Sequence, residues 1–362
     1  MRVKQKTICI ILTLILIFAC SACSKKGSAL DFYYFNTVIH VETYSTAVSP
    51  DTVKKLENLF SEIENEFDYK NLNSFTYNFN RASANSTIEL STHSKEIIDK
   101  CLEYYTFTEG KFNPGIYPLL KLWQFAPSYP VADFNVPNQS EINELKKHAL
   151  SFKDVALTED FKFAIKPDSD LKLDFGGIVK GYAADLASNV LIEDGHFDGY
   201  VSVGGSSLNL LKVPSLTVKH PRATELLPNL LSIDLKGKED VSVSTSGDYE
   251  RYYVKDEIRY SHLIDPETGS PTKNNVVSVT VLCKSGTFSD AITTAACLIE
   301  HDALDLNNSK LVTFLNKAIE FSDVSVFAIY DDGVTRQILT NEKEGETFTL
   351  FDKNYTVINI KG

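Results

Sequence analysis

Apolar residues at Val53, Leu56, Phe60, Ile63 and Phe67 are spaced alternately by three and four, which predicts a helix with one buried face, capped by Ser49 or Asp51. Ile98, Cys101, Leu102 and Tyr105 predict a second helix. Ile142, Leu145 and Ala149 predict a third, capped by Ser140. Before the first helix, Phe32 to Tyr44 holds Val38, Ile39 and Val41 in loose alternation and predicts one strand. Asn71 to Asn85, rich in Asn and Ser, predicts a loop, and Tyr129 to Asn138, with two prolines, an irregular segment. Further on, Leu171 and Leu173 suggest a short strand, and Tyr182, Leu186 and Val190 a helix. Gly199 to Leu211 predicts two strands broken at Gly204-Gly205; Leu230 to Ser244 predicts another strand. Tyr252 to His262 predicts a hairpin around Asp256-Glu257, and Val276 to Leu282 a buried strand. Asp290 to Ile299 and the run Leu311, Phe314, Leu315, Ala318 predict helices, and a last hairpin turns at Asp331-Asp332-Gly333. Strands and helices so interleaved predict an α+β fold, without locating a domain boundary.

The N-terminus follows a different logic. Arg2, Lys4 and Lys6 precede an apolar stretch from Thr7 to Ala19, too short to span a bilayer comfortably. Ser21 and Ala22 stand before Cys23, as at a bacterial lipoprotein cleavage site, and Phe18 makes Cys20 the poorer fit. Residues 1–22 are therefore expected to be a lipoprotein signal peptide, Cys23 the lipidated residue, 23–30 a tether and 31–362 the folded domain; an ordinary signal peptide cleaved after Ala22 is the alternative. The expected location is the extracytoplasmic side of a bacterial cell membrane, lipid-anchored. Loss of residues 1–22 removes three positive charges and takes the formal net charge from −12 to −15. A chain so acidic, with no basic stripe, is a poor nucleic-acid binder. Cys101, Cys283 and Cys297 read as buried thiols, with a Cys283–Cys297 disulfide as an alternative.

The chemistry concentrates at Asp174-Phe-Gly-Gly-Ile-Val-Lys180-Gly-Tyr-Ala-Ala-Asp185. A Gly-Gly pair between extended chain and helix lets backbone N–H groups approach an anion, and Lys180 can add a charge. On residue types alone it is equally a tight turn with a surface lysine. Asp290 and Thr294, four apart on one helix face, are hard oxygen donors suited to Mg²⁺, and equally a capping carboxylate and an inward-packed threonine. His262 has the pKa range of a general base, and equally the habit of a structural histidine.

Five blocks occur in order: Glu109-Gly110-Lys111-Phe112-Asn113-Pro114, the Asp174 block, Ser244-Thr245-Ser246-Gly247-Asp248-Tyr249, His262-Leu263-Ile264-Asp265-Pro266-Glu267-Thr268-Gly269-Ser270-Pro271 and Ser289-Asp290-Ala291-Ile292-Thr293-Thr294-Ala295. Together they resemble the ApbE family of FAD:protein FMN transferases. The resemblance implies two intimate lobes with the flavin nucleotide held between them. It implies flavin contacts at Lys111, Phe112, Asn113, Asp174, Lys180 and Leu263, and Mg²⁺ held by Asp290, Thr294 and the Gly177 carbonyl. It gives His262 a part in catalysis. The implied reaction is Mg-dependent transfer of FMN from FAD to a Thr or Ser of an acceptor flavoprotein of a membrane redox system, releasing AMP. Rival readings are an FAD pyrophosphatase and a flavin-binding lipoprotein without catalysis; the Asp290/Thr294 pair argues against the latter. The chain departs from the family pattern at Asn113, usually Asp, at Phe75, usually Glu, and at Phe35-Asn36-Thr37, usually Met-Gly-Thr.

Overall fold

Val276–Cys283 is buried at all eight positions, so it has protein on both faces and both edges. It is an interior strand of a nine-stranded sheet in the computed structural model, which describes residues 27–126 and 129–360. The strand order is Ala29–Tyr34, Thr37–Thr43, Gly199–Val203, Ser207–Lys212, Val241–Gly247, Val276–Cys283, Ser325–Asp331, Arg336–Thr340, Thr356–Asn359. Neighbours are antiparallel except the last pair. Residues alternate between two cores. Val276, Val279 and Val281 join the large cluster with the helices Pro50–Phe67, Thr92–Phe107, Val179–Glu193, Gly286–Ala296 and Lys310–Ser322. Val277 and Leu282 join a second cluster against the three-stranded sheet of Phe348–Leu350, Asn229–Asp234 and Ser215–Lys219. A third, aromatic cluster of Trp123, Phe125 and Tyr253 unites the helices Tyr117–Leu122 and Gln139–Leu150 with the hairpin Tyr252–Lys255/Ile258–Ser261. The α+β expectation therefore holds.

Several elements differ from the expectation, each for a local reason. The strand foreseen over Phe32 to Tyr44 is a hairpin turning at Phe35 and Asn36, both left-handed at φ 57 and 55. Apolar alternation runs through that turn and hides it. Its first strand opens at Ala29, two residues inside the segment foreseen as tether. The segment from Leu230 to Ser244 is two strands in different sheets rather than one. Leu171 to Leu173 forms a single bridge, Ile116 to Lys172, not a strand. The loop foreseen at Asn71 to Asn85 contains a helix, Phe75–Arg81, capped by Ser74. Burial of Phe75, Thr76 and Phe79 outweighs the weak helix propensity of its residues. Asn138, not Ser140, caps the third predicted helix, by accepting from Glu141 N–H. Cys283 and Cys297 are free and buried, so the disulfide alternative falls; each thiol donates to a carbonyl, of Ser285 and Ser246 respectively. Cys20, Cys23 and the signal segment lie outside the described residues.

Candidate active site

The Gly-Gly turn is held from both sides. Asn80, at the end of the short helix, donates its amide to the Leu173 carbonyl (3.0 Å) and accepts from the Leu173 N–H (2.6 Å). The next residue, Asp174, donates its N–H to the Pro114 carbonyl and accepts from Gly176 N–H through Oδ1 (2.9 Å). Lys180 Nζ returns to the Gly176 carbonyl (2.6 Å). The helix that follows, Val179–Glu193, has no side-chain cap of its own. Its N-terminal N–H groups need acceptors, and one comes from elsewhere: Gly181 N–H donates to Asp290 Oδ2 at 2.7 Å.

Asp290 lies in the second turn of Gly286–Ala296, not at its start, because that helix begins four residues earlier than foreseen and is capped by Ser285. Its other oxygen, Oδ1, accepts from Ser207 Oγ at 2.7 Å. The arrangement is reciprocal. Asp185, on the first helix, accepts from Gly286 N–H (2.6 Å) at the start of the second, and also from Ser242 Oγ and Asn209 Nδ2. Burial pushes the Asp185 carboxyl up to about 6, against the pull of these donors.

Of the residues foreseen as metal ligands, Gly177 and Thr294 are adjacent, and the Asp290 carboxylate meets the same helix start at Gly181. A Cβ on Gly177 would stand 3.6 Å from Thr294 Oγ1 and 3.4 Å from the Phe112 ring. Thr294 Oγ1 donates to the Asp290 carbonyl (3.0 Å), one turn back, and lies 3.4 Å from Ser246 Oγ, which leaves it one lone pair to offer. Asp290 is a buried carboxylate with no cation paired to it among the described residues, and each oxygen has one donor and room for another. Buried carboxylates ordinarily pair with a cation or bind a metal. The donor set is carboxylate, hydroxyl and, on the neighbouring turn, a backbone carbonyl, all hard oxygens. It fits Mg²⁺ and does not fit zinc.

His262 stands at the end of the aromatic cluster's hairpin, directly after Ser261. Its N–H donates to the Arg251 carbonyl (3.0 Å), and Nδ1 lies 3.2 Å from the same oxygen. An Nδ1–H donating there leaves Nε2 as the acceptor. The ring meets Phe125 edge-on, with centroids 6.3 Å apart. Burial first, then the charges of Arg251 and Lys180, hold the imidazole well below its usual 6.5, against the Arg251 carbonyl. The same charges place the groups of the cleft: Lys180 and Arg251 act on His262, and Asp174 acts on Arg251 and on Tyr117, which packs on Tyr69. Arg251 was not singled out in the sequence, although it follows Tyr249 by two residues; a cation beside the glycine block of an acidic chain was the available signal.

The remaining residues foreseen at the flavin frame the site. Lys111 bridges Asp265 (3.1 Å) and Glu267 (3.2 Å), which ties the first block to the turn after His262. Phe112 is buried under Gly177. Asn113 gives its amide to Ala149 and its oxygen to Gly115 N–H, so both of its polar ends are committed within the loop. Leu263 is buried, and its carbonyl accepts from Thr272 N–H. Phe75, in place of the family's Glu, packs on Phe79 and on Phe175 of the turn itself.

Known proteins share this architecture. The chain is 27% identical over 266 residues to a protein of Vibrio cholerae named FAD:protein FMN transferase, covering 70% of this chain and 75% of that protein. It is 31% identical over 220 residues to the FAD:protein FMN transferase of Escherichia coli K12, covering 59% and 61%. The crystal structure of the ApbE protein from Thermotoga maritima superimposes with a TM-score of 0.72 at 27% identity, over 84% of this chain and 95% of that one. The flavin transferase ApbE of Vibrio cholerae, at 22% identity, shares the fold with a TM-score of 0.70, over 90% of this chain and 96% of that one. A model of the ApbE family matches residues 35–314, well over half of the 362 residues, and the chain belongs to that family.

Proposed function

We propose that the protein transfers the FMN half of FAD onto a Thr or Ser hydroxyl of a partner flavoprotein, releasing AMP, with Mg²⁺ at Asp290, Thr294 and Gly177. Bound there, Mg²⁺ would neutralise charge on the pyrophosphate. The chain's own groups do the rest. Lys180 and Arg251 supply positive charge to the diphosphate in a cleft of an otherwise acidic protein, and the turn amides add fixed dipoles. His262 Nε2 takes the proton of the acceptor hydroxyl. The hydroxyl oxygen then bonds to the FMN-side phosphorus, the P–O bond to AMP breaks, and AMP leaves with that oxygen. Asp174 and Asn80 keep the glycine turn in place.

The observation that carries this reading is the His262 ring, whose Nδ1 lies 3.2 Å from the Arg251 carbonyl oxygen and on which the charges of Arg251 and Lys180 act. Relatives named FAD:protein FMN transferase support it. The test is incubation with FAD and Mg²⁺, with and without a candidate flavoprotein. Flavin bound covalently to the partner supports transfer. Free FMN formed at the same rate with or without partner, and no covalent product, would assign FAD hydrolysis instead. The acceptor is inferred to be a membrane redox flavoprotein, met by an enzyme anchored through lipid at Cys23 on the extracytoplasmic side. This rests on the basic, apolar and Ser-Ala-Cys pattern of residues 2–23.

A further inference from the structure

Ser261, the residue before His262, lines a cavity of its own. That cavity, of about 240 Å³, is lined by Arg222, Asp248, Arg259, Ser261, Thr272 and Lys273, among others. Its wall includes Val276 and Val277, at the end of the central strand, and none of Gly177, Lys180, His262, Asp290 and Thr294. It is therefore distinct from the site described above.

Its donors outnumber their acceptors. Ser261 is 3% exposed, and its Oγ has no hydrogen-bond partner. Arg259 Nη1 is likewise buried and without one, 3.7 Å from Asp248 Oδ1, beyond hydrogen-bond range, while its guanidinium lies over the Tyr252 ring at 4.1 Å. Lys273 has no ion pair among the described residues. The one carboxylate, Asp248, is already matched by Arg222, which donates to both its oxygens at 2.7 Å. Three cations against one anion leave a net charge of +2 around the cavity. An unpartnered buried hydroxyl and guanidinium N–H each cost free energy that a ligand would recover.

We propose that this cavity binds a phosphate dianion, either inorganic phosphate or the phosphate end of a small monoester. A dianion matches the charge, and its several acceptor oxygens match a lining of converging N–H and O–H donors. The assignment does not depend on the flavin reaction.

The test is calorimetric titration of inorganic phosphate, glycerol phosphate and acetate into the full protein, saturated with FAD in EDTA, at constant ionic strength. Saturable binding of phosphate is expected, with acetate at least tenfold weaker. Glycerol phosphate binding comparably would identify a monoester site; its exclusion would identify inorganic phosphate. Loss of one charged hydrogen bond is worth about 1.5–3 kcal/mol, so Arg259→Met should weaken phosphate about tenfold or more. Lys273→Met, at an exposed position that cannot unsettle the core, should weaken it severalfold. Unchanged phosphate affinity in both variants, no saturable heat, or acetate binding as tightly as phosphate would each overturn the proposal.

Discussion

Gly181 and Gly286 touch backbone to backbone where the two site helices cross: a Cβ on Gly181 would lie 2.1 Å from the Gly286 carbonyl oxygen. That contact lets each helix carry the other's missing acceptor, Asp290 for Gly181 N–H and Asp185 for Gly286 N–H. Gly181→Ala must part the helices. Overpacking of this kind costs about 1–3 kcal/mol, and here it also draws Gly181 N–H away from Asp290. The variant should melt several degrees lower and lose most FAD turnover. Wild-type melting and turnover in Gly181→Ala would contradict the packing argument.

The Asp290 carboxylate, with no cation paired to it among the described residues, predicts metal dependence. EDTA treatment and Asp290→Ala should each abolish turnover with FAD. Thr294→Val deletes one neutral ligand, which water can replace, so its loss should be smaller. In Asp290→Ala, Gly181 N–H also loses its acceptor, so the melting curve should be recorded beside activity. Full activity after rigorous metal removal would sink the assignment.

Much of this was legible in the sequence because the site is built from contiguous blocks. Gly177, Lys180, Asp290 and Thr294 were singled out, and the structure brings the glycine turn and the Asp290 helix together. What the sequence hid were contacts across the chain. Asp290 reads as a first-turn residue because Gly286, a poor helix former, opens the helix and reads as a break, although Ser285 before it is the cap. Arg251 meets His262 through its carbonyl, one step beyond the Tyr252–Ser261 pair, so the hairpin foreseen around Asp256-Glu257 already implied the link and only the residue went unnamed. Asn80 lies in a segment whose composition says loop, and burial of Phe75 and Phe79 makes it a helix.

Asn80 offers a test of positioning as opposed to contact. Its amide and oxygen both grip Leu173, one residue before Asp174. Asn80→Ala leaves a peptide N–H and C=O without partners, a cost of about 2–6 kcal/mol for the two groups together. Asn80→Asp keeps the acceptor and loses the donor, so it should fall between the two. The expected signature is a raised KM for FAD, graded from wild type through Asp to Ala. An ungraded series would assign Asn80 to stability alone.

The anchor is tested apart from the chemistry. Cys23→Ala should release the protein from membranes and leave flavin transfer intact in solution. If Cys23→Ala stays membrane-bound and Cys20→Ala is released, lipidation is at Cys20.

The pH profile tests His262. To accept a proton the imidazole must be neutral. Burial and the charges of Arg251 and Lys180 disfavour its protonated form, so its pKa in the folded protein lies below the ordinary 6.5. Accordingly kcat/KM should stay level as pH falls through 6.5 and decline only at more acid pH. An unperturbed base would already be half lost at about 6.5. The same shift bears on folding. Below pH 6.5 the unfolded chain takes up a proton that the folded one still refuses. The stability tied to the neutral ring is therefore complete above 6.5 and lost as pH falls towards the depressed value. His262→Gln cannot be protonated, so it should lose less stability between pH 7 and 5 than wild type. In single-turnover assays it should slow transfer by about 10²–10⁴-fold, the range for a lost general base, with FAD affinity little changed. A variant that transfers normally would remove the base role from His262, and a wild-type profile with its midpoint at about 6.5 would overturn the depressed pKa while leaving the ring a base.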